Sequence, residues 1–131
     1  MRPPLQARVI GAGPTGSLAA LALAEAGWTV SLEDPLSPEA LLARQRAYAF
    51  THSSRRLLEN IGLWDGVEPL LVPFRSLHLL DAGLQRGLTF LPDDLPQPSN
   101  PGSVAPIGWI GRHAPLMDHL LERLERHPAI T

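Results

Sequence analysis

The sequence predicts an α/β fold, because its first third has the pattern of a strand, a glycine-rich turn, a helix and a second strand. Residues 7–10 are a short apolar run, as in a buried parallel strand. The helix, residues 14–26, is apolar on almost every side, which predicts burial between the sheet and a further layer. Residues 28–33 then alternate as a strand that Asp34 and Pro35 close. This order predicts a Rossmann-like βαβ unit, the start of an incomplete doubly wound sheet.

Short helices and strands follow this unit. Residues 36–46 predict a loop with a short helix. Ser53 or Ser54 is predicted to cap the next helix, which Gly62 ends. These serines have no plausible general base beside them, so we interpret them as caps and not as nucleophiles. The apolar face of that helix is predicted to consist of Leu57, Leu58 and Ile61.

The second half of the chain is predicted to contain an antiparallel β-meander and a long helix. Two strands, residues 76–80 and 88–91, flank a turn signal at residues 81–83 and predict a β-meander. Five prolines within residues 92–106 predict an irregular segment. Residues 107–110 are again extended, as a candidate addition to the parallel sheet.

The last helix is predicted over residues 114–126, with Pro115 near its start. Its apolar face is formed by Leu116, Met117, Leu120, Leu121 and Leu124. Residues 129–131 then look like the opening of another strand, against which such a helix would pack. We therefore expect residues 1–131 to be the N-terminal part of a longer domain.

Composition excludes several classes of protein. A net charge of −2 gives no electrostatic reason to expect nucleic acid as a partner. The absence of cysteine excludes disulfides and thiolate metal sites, and the histidines lack a metal-ligand spacing, so no metal site is expected. The longest apolar stretch, residues 17–24, is shorter than the roughly 20 residues that span a bilayer. We expect a cytoplasmic protein and leave peripheral membrane association and oligomeric state open.

The glycine-rich turn carries the first functional prediction. Gly11 permits the tight turn, Gly13 lets the backbone approach a pyrophosphate, and Gly16 lets the helix pack on the strand. The amides and dipole at the start of the helix favour phosphate charge. The candidate residues of the turn are Gly11, Ala12, Gly13, Pro14, Thr15 and Gly16. This pattern predicts a dinucleotide site, with FAD and NAD both open at this point.

Two acids follow the second strand. Glu33 and Asp34 lie 17 and 18 residues beyond Gly16, close to where such folds place the carboxylate that accepts the ribose hydroxyls. We favour Asp34 as that acid and Glu33 as its exposed neighbour. In the alternative interpretation, the glycines only shape a turn and the acids only end a strand.

Two further segments resemble the flavin-dependent aromatic hydroxylases. Residues 46–64 have an Arg-x-x-Ala start, serines, a leucine-bearing helix and then Ile-Gly-Leu-Trp, similar to the family's Leu-Gly-Leu-Trp. Residues 108–116 resemble the strand that ends at a flavin-contacting Arg or Gln and enters a helix. The likeness covers nearly all of the chain. It is greatest to the ubiquinone-biosynthesis hydroxylases, within the wider family of para-hydroxybenzoate hydroxylase.

The resemblance implies FAD as the bound cofactor and NAD(P)H as a transient reductant. Arg46 matches the family arginine near the flavin phosphate and ribityl chain, where a guanidinium can fork to phosphate oxygens. Arg112 or His113 occupies the second contact, and the alignment places histidine where arginine is usual. The implied reaction is O₂-dependent hydroxylation of a small aromatic substrate, with a prenylated phenol of quinone biosynthesis as the best match.

In this family the substrate domain and a later Gly-Asp flavin motif lie downstream of the region present here. We therefore expect residues 1–131 alone neither to hydroxylate nor to form an independently stable unit, and we assign no catalytic residue within them. Two alternatives remain. One is another FAD oxidoreductase, such as a prenyl-chain reductase, against which residues 46–64 argue. The other is a non-catalytic dinucleotide-binding module.

Overall fold

A parallel β-α-β unit opens the chain, in a computed structural model that describes residues 2–96 and 105–131. Strand β1 (Gln6–Ile10) pairs in parallel with β2 (Thr29–Glu33), and helix α1 (Pro14–Glu25) connects them. Gly27, with φ of +88°, ends the helix in the left-handed conformation that favours glycine. The predicted α/β class and its opening unit are confirmed.

The end of the chain extends this parallel sheet. Ile130 forms a parallel bridge with Val30 of β2. The Val30 amide donates to the Ala129 carbonyl at 2.8 Å, and the Thr131 amide donates to the Val30 carbonyl at 2.9 Å. The last residues therefore lie beside β2 as the opening of a parallel strand, as their sequence predicts.

A separate antiparallel sheet stands beside this unit. Its central strand is β7 (Gly108–Arg112), flanked by β3 (Ala47–Phe50) and β4 (Leu71–Phe74). The prediction that residues 107–110 add to the parallel sheet is wrong. Glycines at 108 and 111 leave β7 room for close neighbours, since a Cβ at either position would press on Phe50 or Leu71.

The predicted meander is a two-stranded hairpin of β5 (Leu77–Asp81) and β6 (Arg86–Phe90). The Asp81 carboxylate accepts from the Gly83 amide at 2.9 Å, which stabilises the turn that the sequence predicts. A 3-10 turn at Pro92–Asp94 follows. Most of the proline-rich segment that is predicted to be irregular, residues 97–104, lies outside the described residues.

Four further helices lie within the described residues. They are α2 (Pro38–Leu42), α3 (His52–Asn60), α4 (Trp64–Val67), which continues as a 3-10 turn at Glu68–Leu70, and α5 (His113–Arg126). The predicted cap of α3, Ser53 or Ser54, is wrong by two or three residues: the N-cap is Thr51, whose hydroxyl accepts from the Ser54 amide at 3.3 Å. Leu57 is 53% exposed although the sequence places it on the apolar face.

The core lies between α1, α5 and the parallel strands. From α1 it takes Ser17, Ala20, Leu21 and Ala24, and from α5 it takes Leu116, Met117, Leu120 and Leu124. The predicted face of α5 is thereby confirmed, with Leu121 partly buried. A second part of the core is aromatic: the rings of Trp64 and Trp109 meet edge to face at 4.9 Å, under the Arg55 guanidinium. In the part of the chain that the structure describes, no helix is both long and apolar enough to cross a bilayer.

Candidate functional site

The glycine turn joins the end of β1 to the start of α1. Gly11 has φ of +105°, a conformation that side chains disfavour, and its amide donates to the Glu33 carbonyl at 2.7 Å. A Cβ at Gly16 would overlap the Gly11 carbonyl oxygen, so only glycine lets α1 start this close to the turn. Gly11 and Gly16 are therefore required by the turn itself.

Gly13 has a different reason to be glycine. Its backbone is extended, with φ of −68° and ψ of −177°, which any residue can adopt. A Cβ there would meet only the Arg44 Nη1 atom, 4.0 Å away, among the described atoms. Since neither strain nor packing against the turn requires glycine, the missing side chain leaves space for something that lies against the backbone.

The start of α1 is open to an anion. Gly13 is the N-cap residue and Pro14 the first helical residue, and no described side chain caps the helix. The first turn also contains no acidic residue. The amides of Thr15 and Gly16, together with the positive end of the helix dipole, can therefore be directed to phosphate oxygens.

A groove of about 500 Å³ lies in front of this turn. Arg44, Arg46 and Tyr48, spaced two residues apart at and before the start of β3, also line it. The remaining lining residues are Ile10, Gly11, Gly13, Pro14, Thr15 and Gly16. Arg44 and Tyr48 are not among the site residues predicted from the sequence. Their spacing of two residues on either side of Arg46 is the signal that could identify them.

A second groove, of about 750 Å³, shares Arg44 and Arg46 with the first. Its other lining residues are Leu42, Gln45, Ala47, Arg112, His113, Ala114, Pro115 and Asp118. Arg112 is exposed at the end of β7. Together the linings of the two grooves hold three guanidinium groups and one carboxylate, which favours an anionic ligand.

The structure separates the two residues proposed for the second contact. His113 is 1% exposed, and protein groups occupy both of its ring nitrogens. Nδ1 lies 2.8 Å from the Tyr48 hydroxyl, and Nε2 lies 2.6 Å from the Leu41 carbonyl oxygen. Arg112, in contrast, is exposed and lines the second groove.

The two acids after β2 have different partners. The Asp34 carboxylate accepts from the Ala12 amide at 2.8 Å and from the Leu36 amide at 2.7 Å. These hydrogen bonds, with a smaller effect of the Arg44 charge, hold the pKa of Asp34 below its ordinary value. Asp34 therefore fixes the glycine turn through Ala12.

Glu33 faces solvent in an ion pair with Arg8, at 2.7 Å. The hydrogen bond from Arg8, aided by its charge, lowers the pKa of Glu33. The pair has a signal in the sequence. Arg8 stands opposite Ser31 in the register of β1 and β2, and Glu33 lies two residues beyond Ser31, on the same face of the sheet. Neither Glu33 nor Asp34 is among the residues that line the two grooves.

We expect Asp34→Asn to lower the melting temperature at neutral pH, because an amide has one acceptor oxygen where the carboxylate uses two. Because the folded-state pKa is depressed, the carboxylate's contribution is complete above its unfolded pKa, near 3.8, and is lost as pH falls through the lower folded value. The melting temperatures of variant and parent should therefore differ above about pH 4 and begin to converge as the pH falls below it. Thermal unfolding from pH 3 to pH 7 measures this. Glu125→Gln, at an exposed position of α5, serves as the control. Parallel curves for Asp34→Asn and the parent would contradict the assignment.

The chain matches a known family and curated relatives. Residues 5–86 match the family described as FAD binding domain. Ubiquinone hydroxylase UbiL of Rhodospirillum rubrum is 32% identical over 126 residues, which cover 94% of this chain and 28% of the relative. The 3-demethoxyubiquinol 3-hydroxylase of Escherichia coli is 26% identical over 133 aligned positions, covering 98% of this chain and 32% of the relative.

A solved structure shares the fold. The tetrameric form of 2-methyl-3-hydroxypyridine-5-carboxylic acid oxygenase has a TM-score of 0.71 and 23% identity, covering 99% of this chain and 32% of that chain. The chain thus belongs to the family of FAD-binding domains. Its curated relatives include ubiquinone hydroxylases, in agreement with the resemblance to the flavin-dependent aromatic hydroxylases that the sequence motifs indicate. The chain spans less than a third of the length of these relatives.

Proposed function

We propose that this chain holds the ADP half of FAD in a monooxygenase that hydroxylates an aromatic ring at the expense of NAD(P)H and O₂. The observation that carries the proposal is the groove in which a glycine turn faces two guanidinium groups, Arg44 and Arg46. Amides at a helix start and paired arginines are two independent ways to bind phosphate, and here they share one groove. The membership of the FAD-binding domain family supports the choice of FAD over NAD.

Each part of the site would hold a different part of the cofactor. The turn amides and the two arginines would bind the pyrophosphate. Arg112, exposed at the second groove, would reach the flavin side of the molecule, whereas buried His113 would not. Asp34 remains our choice for the ribose hydroxyls, since each of its oxygens accepts one amide hydrogen bond and keeps further acceptor capacity.

Bound FAD would supply the redox chemistry, passing two electrons from NAD(P)H to O₂ so that one oxygen atom enters the ring and the other leaves as water. The residues of this chain would hold and orient the cofactor. A substrate domain and a second flavin motif would come from the rest of the protein. The similarity to a ubiquinone hydroxylase and a 3-demethoxyubiquinol 3-hydroxylase favours a prenylated phenol of quinone biosynthesis as the substrate.

The protein expressed from its complete natural reading frame should be purified yellow, with the visible spectrum of a flavin. Denaturation should release FAD in about equal amount to protein, and NAD should not compete for the site. Absorbance and chromatography of the released chromophore measure both. A colourless protein that does not take up added FAD, but retains NAD, would overturn the assignment of the cofactor.

The reaction itself is tested with that purified protein. A prenylated phenol should stimulate NAD(P)H oxidation and O₂ uptake together, and mass spectrometry should show a product with one added oxygen atom. An unprenylated hydroxybenzoate is the matched control for the prenyl chain. Consumption of NAD(P)H without O₂ uptake, with reduction of the prenyl chain, would instead favour the alternative of a prenyl-chain reductase.

A further inference from the structure

One buried histidine joins three separate segments of the chain. His113, the first residue of α5, contacts the end of α2 through its Nε2 atom, 2.6 Å from the Leu41 carbonyl oxygen. It contacts β3 through its Nδ1 atom, 2.8 Å from the Tyr48 hydroxyl. Its own backbone amide donates to the Arg46 carbonyl at 2.7 Å. A residue that is 1% exposed thus makes three hydrogen bonds to a stretch of eight residues, 41–48.

The partners determine the tautomer of the neutral ring. A backbone carbonyl only accepts, so Nε2 carries the proton and donates to Leu41. Nδ1 is then the acceptor, and the Tyr48 hydroxyl donates to it. Both ring nitrogens are satisfied inside the protein. His113 consequently has no nitrogen left for a ligand in the second groove, although it lies in the wall of that groove.

The segment between these two contacts carries the arginines of the site. Helix α2 ends at Leu42 and strand β3 begins at Ala47, so Arg44 and Arg46 lie on the short connection between them. One imidazole holds this connection on both sides, through Leu41 before it and Tyr48 after it. Tyr48 also lines the glycine-turn groove together with both arginines.

We propose that His113 is a positioning residue for cofactor binding. It orders the connection at residues 43–46, so that Arg44 and Arg46 face the glycine turn before the cofactor arrives, and it does not touch the cofactor itself. The inference rests on the proposed function, because it assigns these arginines to the cofactor phosphates. Ordering them in advance lowers the conformational entropy that is lost on binding, which strengthens affinity without adding a contact.

Three variants of the protein from its complete reading frame test the role. His113→Leu removes both ring hydrogen bonds and should weaken FAD binding about tenfold. His113→Gln offers one donor and one acceptor on a side chain of similar reach, and should restore the affinity to within about threefold of the parent. Tyr48→Phe removes only the Nδ1 partner and should give an intermediate loss. Titration of the apoprotein with FAD, followed by flavin fluorescence, measures each dissociation constant.

A combined variant distinguishes positioning from a general loss of structure. If His113 acts through the two arginines, His113→Leu in an Arg44→Ala, Arg46→Ala background should weaken FAD binding by less than twofold beyond that background alone. The thermal stability of the apoprotein should fall by the same amount in both backgrounds. If His113→Leu does not fold, the same cycle is made with Tyr48→Phe.

Two results would overturn the inference. One is unchanged FAD affinity in the folded variants of His113 and Tyr48. The other is a full, multiplicative loss of affinity when His113→Leu is added to the background that lacks both arginines, which would show that His113 acts independently of Arg44 and Arg46. A parent protein that binds no FAD at all would instead refute the proposed function, so the two failures are distinguishable.

Discussion

Gly13→Val should abolish the retention of FAD while leaving the fold intact. The backbone of Gly13 is extended, so valine fits its dihedral angles, and even a Cβ there reaches only an arginine side-chain atom at 4.0 Å among the described residues. The branched side chain would instead occupy the space in front of the turn, where we place the pyrophosphate. We expect at least a hundredfold loss of affinity, about 2.7 kcal/mol, measured as flavin content together with far-ultraviolet circular dichroism.

A matched variant in the same turn should fail in the opposite way. In Gly16→Ala the added Cβ would overlap the Gly11 carbonyl oxygen, which is backbone and cannot move aside without shifting the turn. We expect a lower melting temperature for this variant even without cofactor. Gly13→Val, in contrast, should have the melting temperature of the parent apoprotein. Normal flavin occupancy in Gly13→Val would show that the glycine turn has only a structural role.

Expressed alone, residues 1–131 should aggregate or remain a loosely packed collapsed state. One face of the hairpin consists of Leu77, Leu79, Leu88 and Phe90, each between 37% and 58% exposed. Leu80, on the opposite face, and Leu84, in the turn, are 74% and 67% exposed. Burying such a side chain contributes about 1.5–3 kcal/mol, and the net stability of a whole domain is only about 5–15 kcal/mol. The uncovered face is therefore large relative to the stability available.

The measurement is size-exclusion chromatography followed by calorimetry. The control is the protein from its complete reading frame, which should be soluble and unfold with a sharp transition. A second control, Leu79→Thr with Leu88→Thr in the 131-residue chain, should improve solubility, because it removes two apolar side chains from the exposed face. A soluble monomer of residues 1–131 with a cooperative transition would contradict the prediction and favour the dinucleotide-binding module.

Local patterns were sufficient for the first unit and the last helix. A turn with glycines at 11, 13 and 16 depends on backbone geometry within six residues, and α5 depends on an apolar period within fourteen. Pairing across long separations was not predictable in this way. Strands β3 and β4 have four residues each, and their partner β7 lies more than thirty residues further along the chain. Segments this short carry too little alternation to indicate a partner.

The glycine-rich turn, the helix behind it and the family could be predicted from the sequence alone, because these depend on residue types at fixed short spacings. Only the tertiary structure decided which polar groups meet. It directed Asp34 to the Ala12 amide, paired Glu33 with Arg8, brought Arg44 to the groove and enclosed His113 between Tyr48 and Leu41. The physical reason is that a hydrogen-bonding side chain takes whichever donor or acceptor the packing brings within about 3 Å, and that packing is set by segments far apart in the chain.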